Sequence, residues 1–239
     1  MHRATWGFFP YSGAMTTPAQ HGDFTLISSR IDEDAVVRMQ DDGAKPIVVL
    51  LHGLGSHERD LTGLVPFLPP DFAYVSLRGI LAYVQGYAWF EMPVDPARPE
   101  MIEPAAEAVE AWISAQREAG RKIAGIIGFS QGGLLALHLL RRDPASLDFV
   151  VNLSGRPFPA PLPGDEHLAE VRPRVMWGHG GLDPLFGGEI EEQVREFLTA
   201  HTRVEEERRP YLGHAVDEPE LRAVAAFLQR RVDERAAAS

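Results

Sequence analysis

The stretch that decides the fold is Gly128-Phe129-Ser130-Gln131-Gly132-Gly133. It lies between an apolar run at 123–127, typical of a buried strand, and a helix-forming run at 134–140. A serine at such a junction needs small residues two positions before and after it, because a Cβ there would collide with the neighbouring strand and helix. The turn lifts the hydroxyl clear of the backbone, beside helix N–H groups that favour negative charge. The pattern predicts a nucleophile elbow carrying Ser130.

Strand and helix patterns alternate along the rest of the chain. Strands are predicted at 25–29, 35–39, 46–51, 72–77, 123–129, 149–153, 174–178 and 204–208, and helices at 102–113, 134–140, 189–200 and 219–232. The first two strands are expected to form an antiparallel start to the sheet. The middle strands are apolar almost throughout, which indicates a mostly parallel central sheet with helices on both faces. Ligands of such α/β sheets bind at the carboxyl ends of the strands.

The composition predicts one folded domain. With 239 residues, 45% of them hydrophobic, the chain can bury a full core, and no linker, repeat or low-complexity tract divides it. We expect a single domain over 21–239 and a flexible N-terminal arm over 1–20. The apolar patch in the arm is interrupted at Pro10 before it reaches signal-peptide length. No stretch approaches the roughly eighteen apolar residues of a membrane span.

Charge and cysteine content narrow the choice of partners. The formal net charge of -11 repels phosphate backbones and anionic lipid headgroups, and the basic residues form no stripe. We therefore expect no nucleic-acid partner and no integral membrane association. The chain has no cysteine, which excludes a disulfide framework and a thiolate nucleophile. The default expectation is a cytoplasmic protein, and the sequence leaves a homodimer open.

An acid and a histidine follow Ser130 at predicted strand ends. Asp183 lies in a loop bounded by glycines and Pro184, after the strand 174–178, and His214 lies on a glycine-flanked loop before the final helix. A carboxylate would hold the imidazole in one tautomer while the imidazole takes the serine proton. The order serine, acid, histidine is that of the α/β-hydrolases, so we predict that fold with Ser130, Asp183 and His214 as the catalytic triad. The alternative for Asp183 is a simple turn-initiating role before Pro184.

A second glycine-rich turn follows the strand 46–51, where His52-Gly53-Leu54-Gly55 begins the next loop. Such a turn beside the nucleophile is able to aim a backbone N–H at the substrate carbonyl oxygen. The expected oxyanion hole consists of the amides of Leu54 and Gln131, which stabilise the transition state because they are oriented before charge develops. His52 is expected to brace this loop as a buried structural histidine.

His179 is the serious rival of His214, because it precedes Asp183 by four residues. It occupies the strand end, however, and would have to reach the serine from the wrong side of the acid loop. No pair of histidines shows metal-ligand spacing with a supporting carboxylate. We therefore predict neither a metal nor another cofactor.

These motifs together resemble the phospholipase/carboxylesterase family of α/β-hydrolases, which includes the acyl-protein thioesterases. Ser-Gln-Gly-Gly in the elbow is the most specific mark, and the resemblance spans about residues 46–230. Arg78-Gly79 and Trp89-Phe90-Glu91 are similar to the family's Arg-Gly and Trp-Phe-Asp segments. Two departures, Glu91 in place of Asp and Phe186-Gly187-Gly188 in place of Val-Pro, bear on the acyl pocket and leave the triad intact.

The resemblance implies hydrolysis of a small-molecule carboxylic ester or thioester through an acyl-enzyme, as in carboxylesterases, lysophospholipases and thioesterases. The triad chemistry supports the same steps. Five apolar residues on loops at the active end are candidate substrate-binding residues for a small or medium acyl group: Trp89, Phe90, Phe158, Leu182 and Phe186. Each is equally compatible with packing between loops. The segment 153–174 is too short for a separate lid domain, so an open, groove-like site is expected.

Two alternative functions remain at this point. A non-catalytic binding protein on a hydrolase fold would usually have lost a triad residue, and none is missing from this sequence. An acyltransferase or a peptidase would use the same triad, and neither the elbow nor the order of the triad excludes it.

Overall fold

The chain folds around a central sheet in the computed structural model, which describes residues 23–237. The strands in chain order are β1 (Thr25–Leu26), β2 (Val37–Met39), β3 (Ile47–Leu51), β4 (Ala73–Leu77), β5 (Leu81–Tyr83), β6 (Gly86–Ala88), β7 (Ile123–Phe129), β8 (Phe149–Leu153), β9 (Arg174–Gly180) and β10 (Arg203–Arg209). Within these described residues, seven strands form the central sheet in the order β10-β9-β8-β7-β3-β4-β2. Every neighbouring pair is parallel except β2 and β4. The mostly parallel central sheet is therefore confirmed.

Helices cover both faces of this sheet. They are α1 (Glu103–Glu118), α2 (Gln131–Arg142), α3 (Asp165–Val171), α4 (Glu189–His201) and α5 (Glu218–Ala237), with short 3₁₀ segments at Glu33–Ala35, Leu61–Phe67 and Pro99–Ile102. Because side chains alternate along a strand, β3 contributes to both layers. Ile47, Val49 and Leu51 pack in the core beneath α1 to α4. Val48 and Leu50 pack in the second core beneath α5 and the 3₁₀ segment 61–67.

The first strands differ from the prediction. The expected antiparallel start to the sheet is confirmed for Val37–Met39, which forms its antiparallel edge, and is wrong for the segment 25–29. Thr25–Leu26 pairs instead with β5 in a separate sheet of order β1-β5-β6. Both residues of β1 are exposed, so this strand has no apolar face to bury against the core. The β5–β6 hairpin has strands of three residues each, too short for a periodic sequence pattern.

The connection between β8 and β9 holds loops and the seven-residue helix α3, which the sequence patterns did not reveal. No large lid domain is present in this part of the described chain, as predicted. The predicted arm at 1–20 lies outside the described residues. Among the helices of residues 23–237, none combines the length and apolarity needed to cross a membrane.

Candidate active site

Ser130 occupies a sharp turn between β7 and α2. Its backbone has φ 54 and ψ -112, which is outside the common regions for a residue with a side chain. The turn is this tight because the helix starts directly against the sheet. A Cβ on Gly132 would lie 2.1 Å from the Leu51 carbonyl oxygen, and one on Gly128 would lie 2.2 Å from the Gly132 carbonyl oxygen. Both positions therefore need glycine, as the elbow motif predicts, and the Ser130 side chain is left half-buried.

Three strand ends bring Ser130, His214 and Asp183 together. His214 Nε2 lies 2.9 Å from Ser130 Oγ, and His214 Nδ1 lies 2.7 Å from Asp183 Oδ2. The Asp183 side chain is fully buried, whereas that of His214 is 20% exposed. The Leu185 amide donates to Asp183 Oδ1 at 2.8 Å, which fixes the carboxylate. Since a carboxylate only accepts, the imidazole proton lies on Nδ1 and Nε2 faces the serine hydroxyl as acceptor.

Two phenylalanines enclose the His214 ring. Phe186 stacks on it with ring centroids 5.5 Å apart and an interplanar angle of 28°, and Phe129 lies 5.0 Å away at 44°. Contacts with aromatic rings limit rotation of the imidazole. Phe186 is the residue that departs from the family's Val-Pro segment. The ring that supports the histidine therefore lies at a position where the sequence departs from the resemblance.

The loop after β3 abuts the serine. A Cβ on Gly53 would lie 3.5 Å from Ser130 Cβ, so the next amide, that of Leu54, lies beside the nucleophile. Among the hydrogen bonds of residues 23–237, neither the Leu54 amide nor the Gln131 amide has an acceptor, which leaves both available to a substrate oxygen. The buried His52 contacts the Gly53 carbonyl oxygen, in the bracing position that the sequence predicts.

An ion pair that sequence patterns did not reveal holds this loop in place. Arg78 donates to both carboxylate oxygens of Glu58, at 2.9 and 2.8 Å. These bonds lower the pKa of Glu58 to about 2. The Arg78 guanidinium also lies 4.5 Å from the Tyr87 ring centre on β6. The resemblance of Arg78-Gly79 to a family segment was the one available signal, and nothing in the sequence identified Glu58 as its partner.

The five candidate substrate-binding residues fall into two groups. Trp89, Phe90 and Phe158 are buried and belong to the core beneath α1 to α4. Leu182 is 63% exposed on the acid loop, and Phe186 is half-buried against His214. Leu182 and Phe186 are thus the members of the group whose side chains are accessible from the surface, while the other three are packed in the core.

His179 belongs to a different cluster. Its ring stacks on Trp177 at 3.9 Å, and its Nε2 lies 3.0 Å from Glu206 Oε1, with no contact to Ser130. Within residues 23–237, His179, Glu191 and Glu206 bring metal-ligating atoms within 4.8 Å of one another. Two arginines, however, already hydrogen-bond these carboxylates: Arg195 contacts both, and Arg208 contacts Glu191. The cluster therefore contains its own counter-charges.

A buried acid lies beneath the histidine loop. Glu220 on α5 is fully buried, and its carboxylate oxygens have no hydrogen-bond partner among the described residues. Its Oε1 lies against Gly178 of β9, 2.1 Å from where a Cβ would stand. Burial, together with the nearby Asp217 carboxylate, raises the pKa of Glu220 to about 8. The group is therefore largely uncharged at neutral pH.

Known proteins resemble the chain over most of its length. The sequence profile of a family described as Phospholipase/Carboxylesterase matches residues 32–232. A probable carboxylesterase SOBER1-like protein of Arabidopsis thaliana is 24% identical over 241 residues, with 90% of each chain covered. Esterase YpfH of Escherichia coli (strain K12) is 28% identical over 198 residues, covering 76% of this chain and 81% of the relative.

Solved structures give the same fold. The carboxylesterase of Bacillus cereus has a TM-score of 0.69 to this chain at 21% identity, with 82% of this chain and 93% of that one covered. At this level of identity the likeness concerns the fold. The α/β-hydrolase fold predicted from the order of Ser130, Asp183 and His214 is thereby confirmed.

Proposed function

The chain belongs to the phospholipase/carboxylesterase family, and we propose that it hydrolyses carboxylic esters or thioesters with Ser130 as nucleophile, His214 as general base and Asp183 as its partner. The observation that carries the proposal is the continuous hydrogen-bonded path from Ser130 Oγ through His214 to Asp183, with distances of 2.9 and 2.7 Å. Three residues far apart in sequence meet at the carboxyl edge of one sheet, in the geometry that nucleophilic catalysis requires.

Acylation begins at the serine. His214 Nε2 takes the hydroxyl proton as Ser130 Oγ forms a bond with the substrate carbonyl carbon, and the carbonyl oxygen becomes an oxyanion. The buried Asp183 carboxylate stabilises the resulting imidazolium without accepting its proton. When the oxyanion collapses, the bond to the leaving alcohol or thiol breaks, and His214 Nε2 returns the proton to it. The acyl group is then an ester of Ser130.

Deacylation repeats these steps with water. His214 Nε2 removes a proton from a water molecule, whose oxygen attacks the acyl carbon and forms a second oxyanion. Collapse breaks the bond to Ser130 Oγ, which recovers its proton from His214, and the carboxylic acid leaves. The 20% exposure of the His214 side chain supports this stage, because water has access to the ring.

The oxyanion hole is formed by the amides of Leu54 and Gln131. Gln131 supports this assignment as the first residue of α2, where the N–H group lacks an acceptor inside the helix. Leu54 supports it as the residue after Gly53, which abuts Ser130. The loss of one such donor costs about 10²–10³ in kcat in other serine hydrolases, so two oriented amides supply a large part of the acceleration.

The substrate enters from an apolar surface. Leu182, Leu185 and Tyr211 are exposed beside the triad, on the acid loop and the adjoining histidine loop. These loops are joined by a hydrogen bond of 2.9 Å from the Leu182 amide to the Leu212 carbonyl oxygen. We propose that Leu182 and Phe186 contact the acyl group or the leaving group, and that Trp89, Phe90 and Phe158 act from behind as the wall of the site. An uncharged, small or medium acyl chain suits such a surface.

Two further predictions from the sequence accompany this function. We also propose a cytoplasmic location, and the net charge of -11 supports the absence of a nucleic-acid partner.

The test is a substrate screen with a built-in blank. Wild-type protein is assayed on p-nitrophenyl esters of increasing chain length, on an acyl-thioester and on a lysophospholipid, beside Ser130→Ala. We expect turnover of the short or medium esters by wild type and none by the variant, with the same far-UV circular dichroism for both. Equal turnover by Ser130→Ala would refute the nucleophile, and acyl transfer to an added alcohol in preference to water would identify an acyltransferase instead.

A further inference from the structure

Buried hydrogen bonds connect the two oxyanion amides through side chains. The side-chain Oε1 of Gln131 accepts from the Trp89 backbone N–H at 2.9 Å, and its Nε2 donates to the Phe90 carbonyl at 2.7 Å. Gln131 is only 3% exposed, so neither bond is exchanged with water. Gln131 therefore presents its backbone amide to the oxyanion site while its side chain hydrogen-bonds the backbone of the segment 89–90 as both acceptor and donor.

Trp89 extends the connection to the other side of the site. Its indole Nε1 donates to the His52 carbonyl oxygen at 2.9 Å, and the two rings lie 5.1 Å apart. Trp89 is fully buried. A buried donor or acceptor left without its partner costs free energy, so this bond fixes the start of the oxyanion loop relative to the segment 89–90.

His52 then orients the amide itself. The Gly79 N–H donates to His52 Nε2 at 3.0 Å, so Nε2 carries no proton and Nδ1 donates to the Gly53 carbonyl oxygen at 2.7 Å. Burial lowers the pKa of His52 to about 4, which keeps the ring neutral and both bonds intact near neutral pH. The Gly53 carbonyl and the Leu54 N–H belong to one planar peptide group. Fixing the carbonyl therefore fixes the direction in which the Leu54 amide points.

We propose that the side chains of Gln131, Trp89 and His52 form a positioning bracket that sets the separation and direction of the Leu54 and Gln131 amides. The proposal rests on the proposed function, because the separation matters only if these amides bind an oxyanion. The bracket touches no reacting atom, so its members are positioning residues. Because the oxyanion develops only in the transition state, breaking the bracket lowers kcat and leaves KM nearly unchanged.

Two substitutions break the bracket while the backbone amides remain. Gln131→Met removes both side-chain hydrogen bonds, and Trp89→Phe removes the indole N–H. Since a displacement of about 1 Å costs on the order of 100-fold, we expect kcat to fall about 100-fold in the first and about 10-fold in the second, with KM within about threefold. The matched control is Trp112→Phe on α1, whose indole N–H donates to Glu33 at 2.7 Å, outside the bracket. It also removes an indole N–H hydrogen bond, there to a carboxylate, and is expected to leave kcat unchanged.

A third variant, Gln131→Glu, distinguishes hydrogen bonding from packing, because its kcat is expected to depend on pH only if the hydrogen bond matters. In Gln131→Glu, the protonated carboxyl donates to the Phe90 carbonyl as the native amide does, whereas the carboxylate is repelled by it. The ratio of its kcat to that of wild type is therefore expected to rise as pH falls. The double variant Gln131→Met with Trp89→Phe should lose less than the product of the single losses, because one break already disconnects the two amides.

Three results would overturn the bracket: unchanged kcat in Gln131→Met and Trp89→Phe, losses that appear only in KM, or a pH-independent ratio for Gln131→Glu. Thermal unfolding of each variant identifies any that fails to fold, in which case Trp89→Phe, the milder change, carries the test. Failure of the bracket is distinguishable from failure of the proposed function, because wild type would still be labelled at Ser130 by a fluorophosphonate. Absence of that labelling would refute both the proposed function and the bracket.

Discussion

Gly132→Ala tests whether the elbow holds α2 against the sheet. The new Cβ would stand 2.1 Å from the Leu51 carbonyl oxygen and 2.7 Å from that of His52, whereas real Cβ contacts essentially never fall below 3.0 Å. The start of α2 must therefore move away from β3 by about 1 Å, because backbone atoms cannot rotate aside as a side chain would. That movement carries the Gln131 amide away from the Leu54 amide.

The expected cost has two parts. Overpacking of this kind costs about 1–3 kcal/mol, and at roughly 2–4 °C per kcal/mol for a domain of this size Tm falls by about 2–12 °C. A displacement of about 1 Å at the oxyanion hole lowers kcat/KM on the order of 100-fold.

The measurement pairs p-nitrophenyl butyrate kinetics with thermal unfolding. Gly63→Ala is the matched control, because a Cβ there meets no atom within 4 Å. This control is expected to keep full activity and an equal or slightly higher Tm. If Gly132→Ala matched Gly63→Ala in both activity and Tm, the described contact between α2 and β3 would be wrong.

Three other perturbations separate the roles of the remaining groups. His214→Ala should reduce kcat by several orders of magnitude. His179→Ala should have a mild effect, because His179 belongs to a separate salt-bridged cluster. If His179→Ala lost more activity than His214→Ala in an ester assay, the wrong histidine would be assigned as the base. Asp183→Asn keeps the size of the side chain but places an amide against His214 Nδ1, so kcat should fall by about 10⁴ with the fold retained; a loss under tenfold in stopped-flow kinetics would exclude the proposed role of the carboxylate. Burial raises the pKa of Glu220 from the ordinary carboxyl value of 4.5 to about 8. Between these two values the folded chain keeps a proton that the unfolded chain has released, so the free energy of unfolding decreases as pH rises from 4.5 to 8. Glu220→Gln should therefore have a higher Tm than wild type at pH 8 and the same Tm near pH 4.5. The control Glu218→Gln replaces a side chain that is 66% exposed and should show no such trend. A Tm difference between Glu220→Gln and wild type that does not change with pH would contradict the buried, uncharged acid.

Much of the fold follows from local pattern. Strands β3, β4, β7, β8 and β9 are apolar runs with nearly every residue buried, and that burial on both faces makes them recognisable without knowledge of their partners. The elbow was predictable for a steric reason, since only glycine fits at positions 128 and 132. Ser130, Asp183 and His214 each follow the carboxyl end of a predicted strand. Because the carboxyl ends of parallel strands meet at one edge of the sheet, the three residues are expected at the same edge.

The parts that were not predicted depend on pairing between distant residues. Thr25–Leu26 has no apolar face of its own, and its place is decided by β5, a strand too short to be read from sequence. Nothing in the sequence distinguishes Glu58 from the other acidic residues, because its hydrogen bond to Arg78 on another loop forms only in the folded chain. Likewise Gln131 was predictable as a backbone donor from its position after the serine, but the bonds of its side chain to the segment 89–90 exist only in the folded chain.

The central claim is that Ser130 becomes covalently acylated during turnover. The most direct measurement is mass spectrometry of the protein quenched in the steady state with p-nitrophenyl acetate, followed by peptide mapping. We predict one acetyl group on the peptide that contains Ser130, formed and lost at rates that account for turnover, and no adduct in Ser130→Ala. An acetyl group on another residue that forms and decays at the rate of turnover, or full turnover with an unmodified Ser130, would contradict the account.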